Sequence, residues 1–338
     1  MWTEEKLNDL LTAPSDGLVA DMKRLPGDIL VLGAGGKMGP SLCALAKRGF
    51  EEAGKNGRVI AVSRFTNAEE RRWLEERGVE TIAADLLDAG QRAALPQIEN
   101  VLYMAGRKFG TQGQEWLTWA MNAGLPAFIA EQFRDARVVV FSSGNVYPLV
   151  PIDTGGCTER DPPGPVGEYA MSCLARERIF EHAAQRYGTR VLLFRLNYAA
   201  DLRYGVLRDI AGNILEGRPV ALRVPRFNIL WQGSANEMAL RGLLHAAAPA
   251  FKLNVTGPEI LSVRETACRL GKILGKAPVF EGQEGPAALL SDASLAVDLF
   301  GAPAVPAHTL IEWQGQWLLD GGRGLGKSTH FEERGGAY

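Results

Sequence analysis

The 338 residues lack most of the patterns that announce a metalloprotein, a disulfide-stapled domain, a membrane protein or a nucleic-acid binder. Cys43, Cys157, Cys173 and Cys268 stand far apart with no C-x-x-C pair, so neither a disulfide framework nor a zinc site is signalled. His182, His245, His308 and His330 are equally scattered, and no metal ligand is assigned. Charge of one sign is not in excess: Lys+Arg 37 against Asp+Glu 39 gives −2, without the basic face of a nucleic-acid binder. No apolar run approaches the ~20 residues of a membrane span. The start, Met1 to Lys6, is acidic and amphipathic rather than basic-then-apolar. The expectation is a cytoplasmic chain with a small-molecule substrate and neither membrane nor nucleic acid as partner.

Apolar residues, at 46%, suffice for a globular core. Residues 1–28 read as a helical extension, with Thr3 and Ser15-Asp16 as helix starts and Pro26-Gly27-Asp28 as its end. Six short runs follow, alternating with helix-length segments: Ile29–Leu32, Val59–Val62, Thr81–Ala83, Val101–Met104, Val138–Phe141 and Val191–Phe194. They are almost wholly apolar, as strands buried on both faces are, and the alternation predicts a doubly wound parallel sheet of the α/β, Rossmann-like class. Asn67-Ala68-Glu69-Glu70 opens a helix between the second and third runs. From about Ala199 the pattern loosens into short pieces, among them Lys252–Val255, and helices near 234–247, 262–274 and 308–320. We read residues 29–198 as a dinucleotide-binding domain, 199–320 as a smaller, mainly substrate-binding lobe, and 321–338 as a tail.

The first run leads into Gly33-Ala34-Gly35-Gly36-Lys37-Met38-Gly39, which fits G-x-x-G-x-x-G through Gly33, Gly36 and Gly39. Between a strand and a helix, such glycines permit a tight turn and bring main-chain N–H groups against a pyrophosphate. Lys37 and Met38 within the turn, and Ala105-Gly106 after the fourth run, are assigned to the same cofactor. After the second run stand Ser63-Arg64 instead of the acid that grips a ribose 2′-hydroxyl, which favours NADP over NAD. Asp85-Leu86 after the third run either meets the adenine or, through Asp85, caps the helix beginning near Leu87.

With two further stretches, these features resemble the extended short-chain dehydrogenase/reductase family, also called the NAD-dependent epimerase/dehydratase family. Val140 to Pro148 is similar to its strand-five motif, and the resemblance gives Ser143 the catalytic hydroxyl. Thr158-Glu159-Arg160-Asp161-Pro162 and Pro165 resemble the loop before its catalytic helix, and Glu168 to Ala175 resembles its Y-x-x-x-K helix, with Tyr169 at the tyrosine position. Asn254 to Pro258 with Ser262-Val263 resembles its C-terminal lobe. The family implies NAD or NADP, hydride transfer on a sugar-like or nucleotide-sugar hydroxyl or carbonyl, and a homodimer. Tyr169 would move the proton while Ser143 positions the substrate oxygen.

The chain departs from that pattern at Cys173, where the family has the lysine that lowers the tyrosine pKa and binds the nicotinamide ribose. Lys108, after the fourth run, or Lys37 replaces the cation; or the chemistry needs no ionised tyrosine; or the protein binds dinucleotide without turnover. Gly144-Asn145 after the serine lacks the acids used for 4,6-dehydration. Asn145, Asn197 (in a shortened Arg195-Leu196-Asn197) and Arg226 are candidate substrate contacts, Arg226 where the family holds a diphosphate. Near the end, Gly321 to Ser328 spells G-x-x-x-x-G-K-[ST], yet the preceding segment reads as an amphipathic helix and not a strand, which argues for a helix end and against a P-loop. The tail is expected on the surface, over the cleft or against a partner subunit.

Overall fold

The computed structural model describes residues 1–108, 113–326 and 329–336. One sheet of seven strands, all parallel, organises it: β1 (Ile29–Leu32), β2 (Val59–Ser63), β3 (Glu80–Ala83), β4 (Asn100–Tyr103), β5 (Arg137–Ser143), β6 (Arg190–Leu196) and β7 (Phe251–Val255). Their order is β3-β2-β1-β4-β5-β6-β7. The direction of winding reverses between β1 and β4, which opens a crevice at the carboxyl ends of those two strands.

Burial on both faces explains the apolar runs. Ile29 and Val31 of β1 enter a core with Leu18, Met22, Leu42 and Leu240, whereas Leu30 and Leu32 enter another with Ile129, Phe133 and Phe180. Each such side chain contributes about 1.5–3 kcal/mol. The first face is covered by helices α2 (Asp16–Arg24), α3 (Gly39–Glu52) and, arriving from the far end of the chain, the 232–242 helix; the second by the 125–132 and 167–187 helices. Between α3 and these lie α4 (Ala68–Glu75) and α5 (Ala89–Ala93), then α6 (Glu115–Trp119), which passes through a π turn at Ala120–Gly124 into α7 (Leu125–Gln132). α8 (Gly167–Tyr187) is the longest helix among the described residues.

β3 departs from the expectation of two buried faces, since Glu80 and Ala83 are exposed. It is an edge strand, and the Arg58–Glu80 ion pair at 2.8 Å puts charge along that edge. β7 corrects the reading of Lys252–Val255 as part of the smaller lobe. It pairs from Phe251↔Leu192 to Val255↔Leu196 and closes the other edge of the sheet. Its lysine is accommodated by Glu181, 3.0 Å away.

The remaining core joins α9 (Val206–Glu216), α11 (Val263–Leu274) and α13 (Ala307–Leu319) to α1 (Glu4–Leu11), while α10 (Gln232–Gly242) and α12 (Ser294–Phe300) lie towards the sheet. Trp313 lies edge-on to Trp2 at 5.3 Å and to Trp231 at 5.5 Å. The two helices of the N-terminal extension therefore serve different cores: α1 packs with the smaller lobe and α2 under the sheet. Their starts are capped by Thr3 and Ser15, which accept from the N–H groups of Lys6 and Leu18. At the other end, Gly321 (φ 81°) and Gly322 donate to Leu318 and Trp317 carbonyls and close α13. The P-loop-like stretch thus begins as a helix end with no strand before it; its Lys327 and Ser328 lie outside the described residues. No described helix is long and apolar enough to cross a membrane.

Candidate active site

The glycine turn leaves β1 and enters α3 with three glycines in different situations. Gly33 has φ 90°, and a Cβ there would come within 2.5 Å of the Ala105 nitrogen. A Cβ on Gly39 would meet the Ala34 carbonyl at 2.1 Å, so Gly39 permits helix and strand to pack. A Cβ on Gly36 would meet only the Gly33 carbonyl at 3.5 Å, and that face is open. Among the described residues nothing accepts from the N–H groups of Lys37 and Met38. Two closed glycines, an open one and free N–H groups at a helix start fit a dinucleotide pyrophosphate.

Two hollows flank this turn. One, about 460 Å³, is lined by Gly33, Gly36, Ser63, Arg64, Asp85, Leu86, Ala105, Gly106 and Arg107. The other, about 430 Å³, also touches Gly33, Gly36 and Gly106, and adds Lys37, Met38, Lys108, Ser143, Asn145, Tyr169, Asn197, Tyr204 and Thr329. Together they offer one chamber for an adenosine and one for a reacting group. Asp85 accepts from the Leu87 N–H at 3.0 Å, while the cap of α5 is Asp88, not Asp85.

Ser143 ends β5, and its Oγ donates to Asn145 Oδ1 at 2.9 Å and hydrogen-bonds the Tyr169 hydroxyl. Tyr169 sits in the first turn of α8. Burial, then the neighbouring Cys173, hold its phenol well above 10, while Arg176 and Ser143 pull the other way. Cys173, one turn along, is fully buried, hydrogen-bonds the Tyr169 hydroxyl and lines neither hollow; burial pushes its thiol up as well. The structure therefore does not bring Cys173 to the cofactor surface, as its motif position had implied.

Two cations stand near the phenol. Lys108 Nζ is 5.7 Å from the Tyr169 ring centroid, and burial lowers its ammonium to about 8. Arg176, which the sequence reading missed, follows Tyr169 by seven residues on the same helix face. It donates to the Phe141 carbonyl at 2.6 Å and to Asn122 Oδ1 at 2.9 Å. The spacing 169, 173, 176 was its available signal, since these positions stack on one side of a helix. Asn122 had no local signal. It lies in the π turn and holds Arg107 from both sides, accepting from its N–H at 2.7 Å and donating to its carbonyl at 2.8 Å, which fixes the loop carrying Lys108.

Lys37 reaches across the cleft to the Tyr204 ring, 3.6 Å from its centroid, and burial lowers its ammonium to about 7. Asn197 lines the cleft, but its amide donates to Asn228 and Leu289 at 3.3 and 3.4 Å. Arg226 pairs through its backbone with Ser262 and lines neither hollow. Beneath the strand ends, Arg195 and Glu177 form a fully buried ion pair at 2.7 Å; Ser142 donates to Glu177 and Arg195 to Tyr147, whose hydroxyl donates to Asn254. This network ties α8 to β5, β6 and β7.

The model of the NAD dependent epimerase/dehydratase family matches residues 29–224. Among solved structures, UDP-glucuronic acid 4-epimerase from Bacillus cereus is 18% identical over 87% of this chain and 99% of its own, with a TM-score of 0.70. dTDP-glucose 4,6-dehydratase from Bacillus anthracis, in complex with NAD, is 15% identical over 87% and 97%, with a TM-score of 0.72. MoeE5, in complex with UDP-glucuronic acid and NAD, is 22% identical over 87% and 100%, with a TM-score of 0.68. These likenesses concern the fold. No curated protein matches the chain.

Proposed function

The chain belongs to the NAD-dependent epimerase/dehydratase family, and from that premise we propose that it transfers hydride between a nicotinamide dinucleotide and a hydroxyl- or carbonyl-bearing carbon, as an oxidoreductase or an epimerase. The observation that carries this reading is the convergence of Ser143 and Tyr169 on one hollow that shares Gly33, Gly36 and Gly106 with the other. A bound dinucleotide supplies the hydride acceptor or donor. Ser143 orients the substrate oxygen, and Tyr169 exchanges a proton with it. With its pKa raised, the phenol is protonated at neutral pH. It can therefore give its proton to a carbonyl oxygen as hydride arrives at the carbon, and the phenolate left behind has the Ser143 hydroxyl, the Cys173 thiol and the Arg176 charge beside it, with Lys108 over the ring. Lys108 and Arg176 replace by position the cation that Cys173 does not provide.

At the ribose end, Arg64 attracts a 2′-phosphate, and we propose NADP as the preferred cofactor. Glu70 opposes this, with Oε1 3.2 Å from where a Gly35 Cβ would lie. Titration with NADPH and NADH tests the assignment: Arg64→Ala should weaken NADPH selectively, and equal affinities throughout would refute it. We propose a cytoplasmic homodimer, resting on the exposed Trp116, Phe128 and Met171 of α6, α7 and α8. The rival reading, a dinucleotide binder without turnover, draws on the buried Cys173. A survey of sugars, sugar acids and nucleotide sugars, followed by nicotinamide absorbance, decides between the two. Turnover lost in Tyr169→Phe supports the enzyme; dinucleotide binding with no turnover of any of them supports the binder.

A further inference from the structure

Where α3 meets α10, the core on the first face of the sheet turns polar. Leu42, Ala46, Ala239 and Leu240 belong to an apolar cluster there. Beside them lie Ser41, Gln232 and Asn236, the two amides wholly buried. The Ser41 hydroxyl uses its full hydrogen-bonding capacity. It donates to the Met38 carbonyl at 3.0 Å and accepts from Gln232 Nε2 at 3.1 Å and Asn236 Nδ2 at 2.9 Å. With both amide nitrogens turned to one hydroxyl, Gln232 Oε1 and Asn236 Oδ1 are buried without a partner among the described residues. An unpaired buried acceptor destabilises a fold, and apolar side chains of similar size would join the two helices without that cost. Packing alone does not account for the three.

What they hold is the start of α3. Met38 is its N-cap, at φ −93° and ψ −25°, with no cap from its own side chain. The Met38 carbonyl accepts from the Leu42 N–H at 3.0 Å as well as from Ser41. Two donors on one oxygen fix the peptide that follows Met38, the residue whose N–H, with that of Lys37, is unpaired in the glycine turn. On the other side, Gln232 follows directly on Leu230–Trp231, which pairs in parallel with Ala199–Ala200. Ala199 in turn lines the chamber that holds Tyr169. One hydroxyl thus joins the cofactor turn to a wall of the reaction chamber.

We propose that Ser41, gripped by Gln232 and Asn236, is a positioning residue: it sets the Met38 peptide so that the Lys37 and Met38 N–H groups meet the pyrophosphate in register with the reaction chamber. This rests on the dinucleotide reading and adds to it residues outside the glycine motif.

The test uses the full chain and follows nicotinamide fluorescence with NADH and NADPH, with ADP-ribose and adenosine as competitors. Ser41→Ala should weaken the dinucleotide and ADP-ribose by about fivefold or more, and adenosine, which has no pyrophosphate, by less than about twofold. Gln232→Met combined with Asn236→Leu removes the grip together with both unpaired oxygens. That double variant should melt no lower than wild type and still lose affinity for ADP-ribose, a separation that a role in packing would not produce. Unchanged ADP-ribose affinity in both variants, equal losses of ADP-ribose and adenosine, or losses that only follow a falling melting temperature overturn the proposal. A wild-type chain that binds neither dinucleotide retires the reading beneath it. The hold on Met38 is then judged by amide exchange: the Leu42 N–H, bonded to the same carbonyl, should lose protection in Ser41→Ala, and an unchanged rate overturns the hold itself.

Discussion

At one end of the cleft the glycine turn presents main chain, beside Ser63, Arg64, Asp85 and Leu86. Gly33, Gly36 and Gly39 lie within one seven-residue turn, and their spacing leaves N–H groups unpaired ahead of a helix. At the reaction end the wall is side chains from segments far apart: Lys37 from the turn, Lys108 after β4, Ser143 from β5, Tyr169 from α8, Tyr204 before α9 and Thr329 from the tail. A backbone site needs only the right local conformation. A side-chain site needs every contributing element held in register, and here the buried Arg195–Glu177 pair does part of that holding.

The contrast can be broken most severely at Tyr169. Replacement by Phe should lower turnover by about 10²–10⁴-fold while leaving dinucleotide binding intact, as nicotinamide absorbance and fluorescence would report. A rate unaffected by the change would move the proton transfer elsewhere. Next in size is Glu177→Ala, which strands the Arg195 guanidinium in the core; urea unfolding should show a loss of about 3–5 kcal/mol. A loss well under that would mean the network does not hold α8 against the sheet.

The glycine turn offers a finer test, because its members should behave differently. Gly33→Ala forces a side chain into φ 90° and against Ala105, so it should cost about 1–3 kcal/mol of stability. Gly36→Ala should leave the melting curve nearly unmoved and weaken dinucleotide binding instead. Identical behaviour of the two variants would contradict the division between a folding glycine and a binding one.

Lys37 gives a test through pH rather than through packing. Unfolded, this lysine keeps its proton up to about 10.5, and folded it releases it near 7. Between those values the unfolded chain binds the extra proton, so this group makes stability rise with pH across the window. Lys37→Met should flatten that rise, measured as melting temperature from pH 7 to pH 10. The same slope in wild type and variant would place the ammonium in water.

Much of this was legible in the sequence where the signal is local. The starts at Thr3, Ser15 and Asn67 follow from side-chain oxygens beside unpaired N–H groups, and strands β1, β2 and β4 to β6 from apolar runs that fit burial on both faces. β7 was not legible, because Lys252 and Asn254 interrupt it and its partner lies more than fifty residues earlier in the chain. Arg176 could have been found from helix spacing; Asn122 and Thr329 could not, since what they touch is remote in sequence.

Alone, the amino-acid order settled the parallel sheet, the glycine turn after its first strand and the positions of the serine and the tyrosine, because each depends on neighbours within a few residues. Tertiary structure decided which cations approach the phenol, that Arg226 stays out of the cleft and that Thr329 of the tail lines it. Those outcomes are set by long-range packing and by how far burial displaces a charge, neither of which short-range spacing encodes.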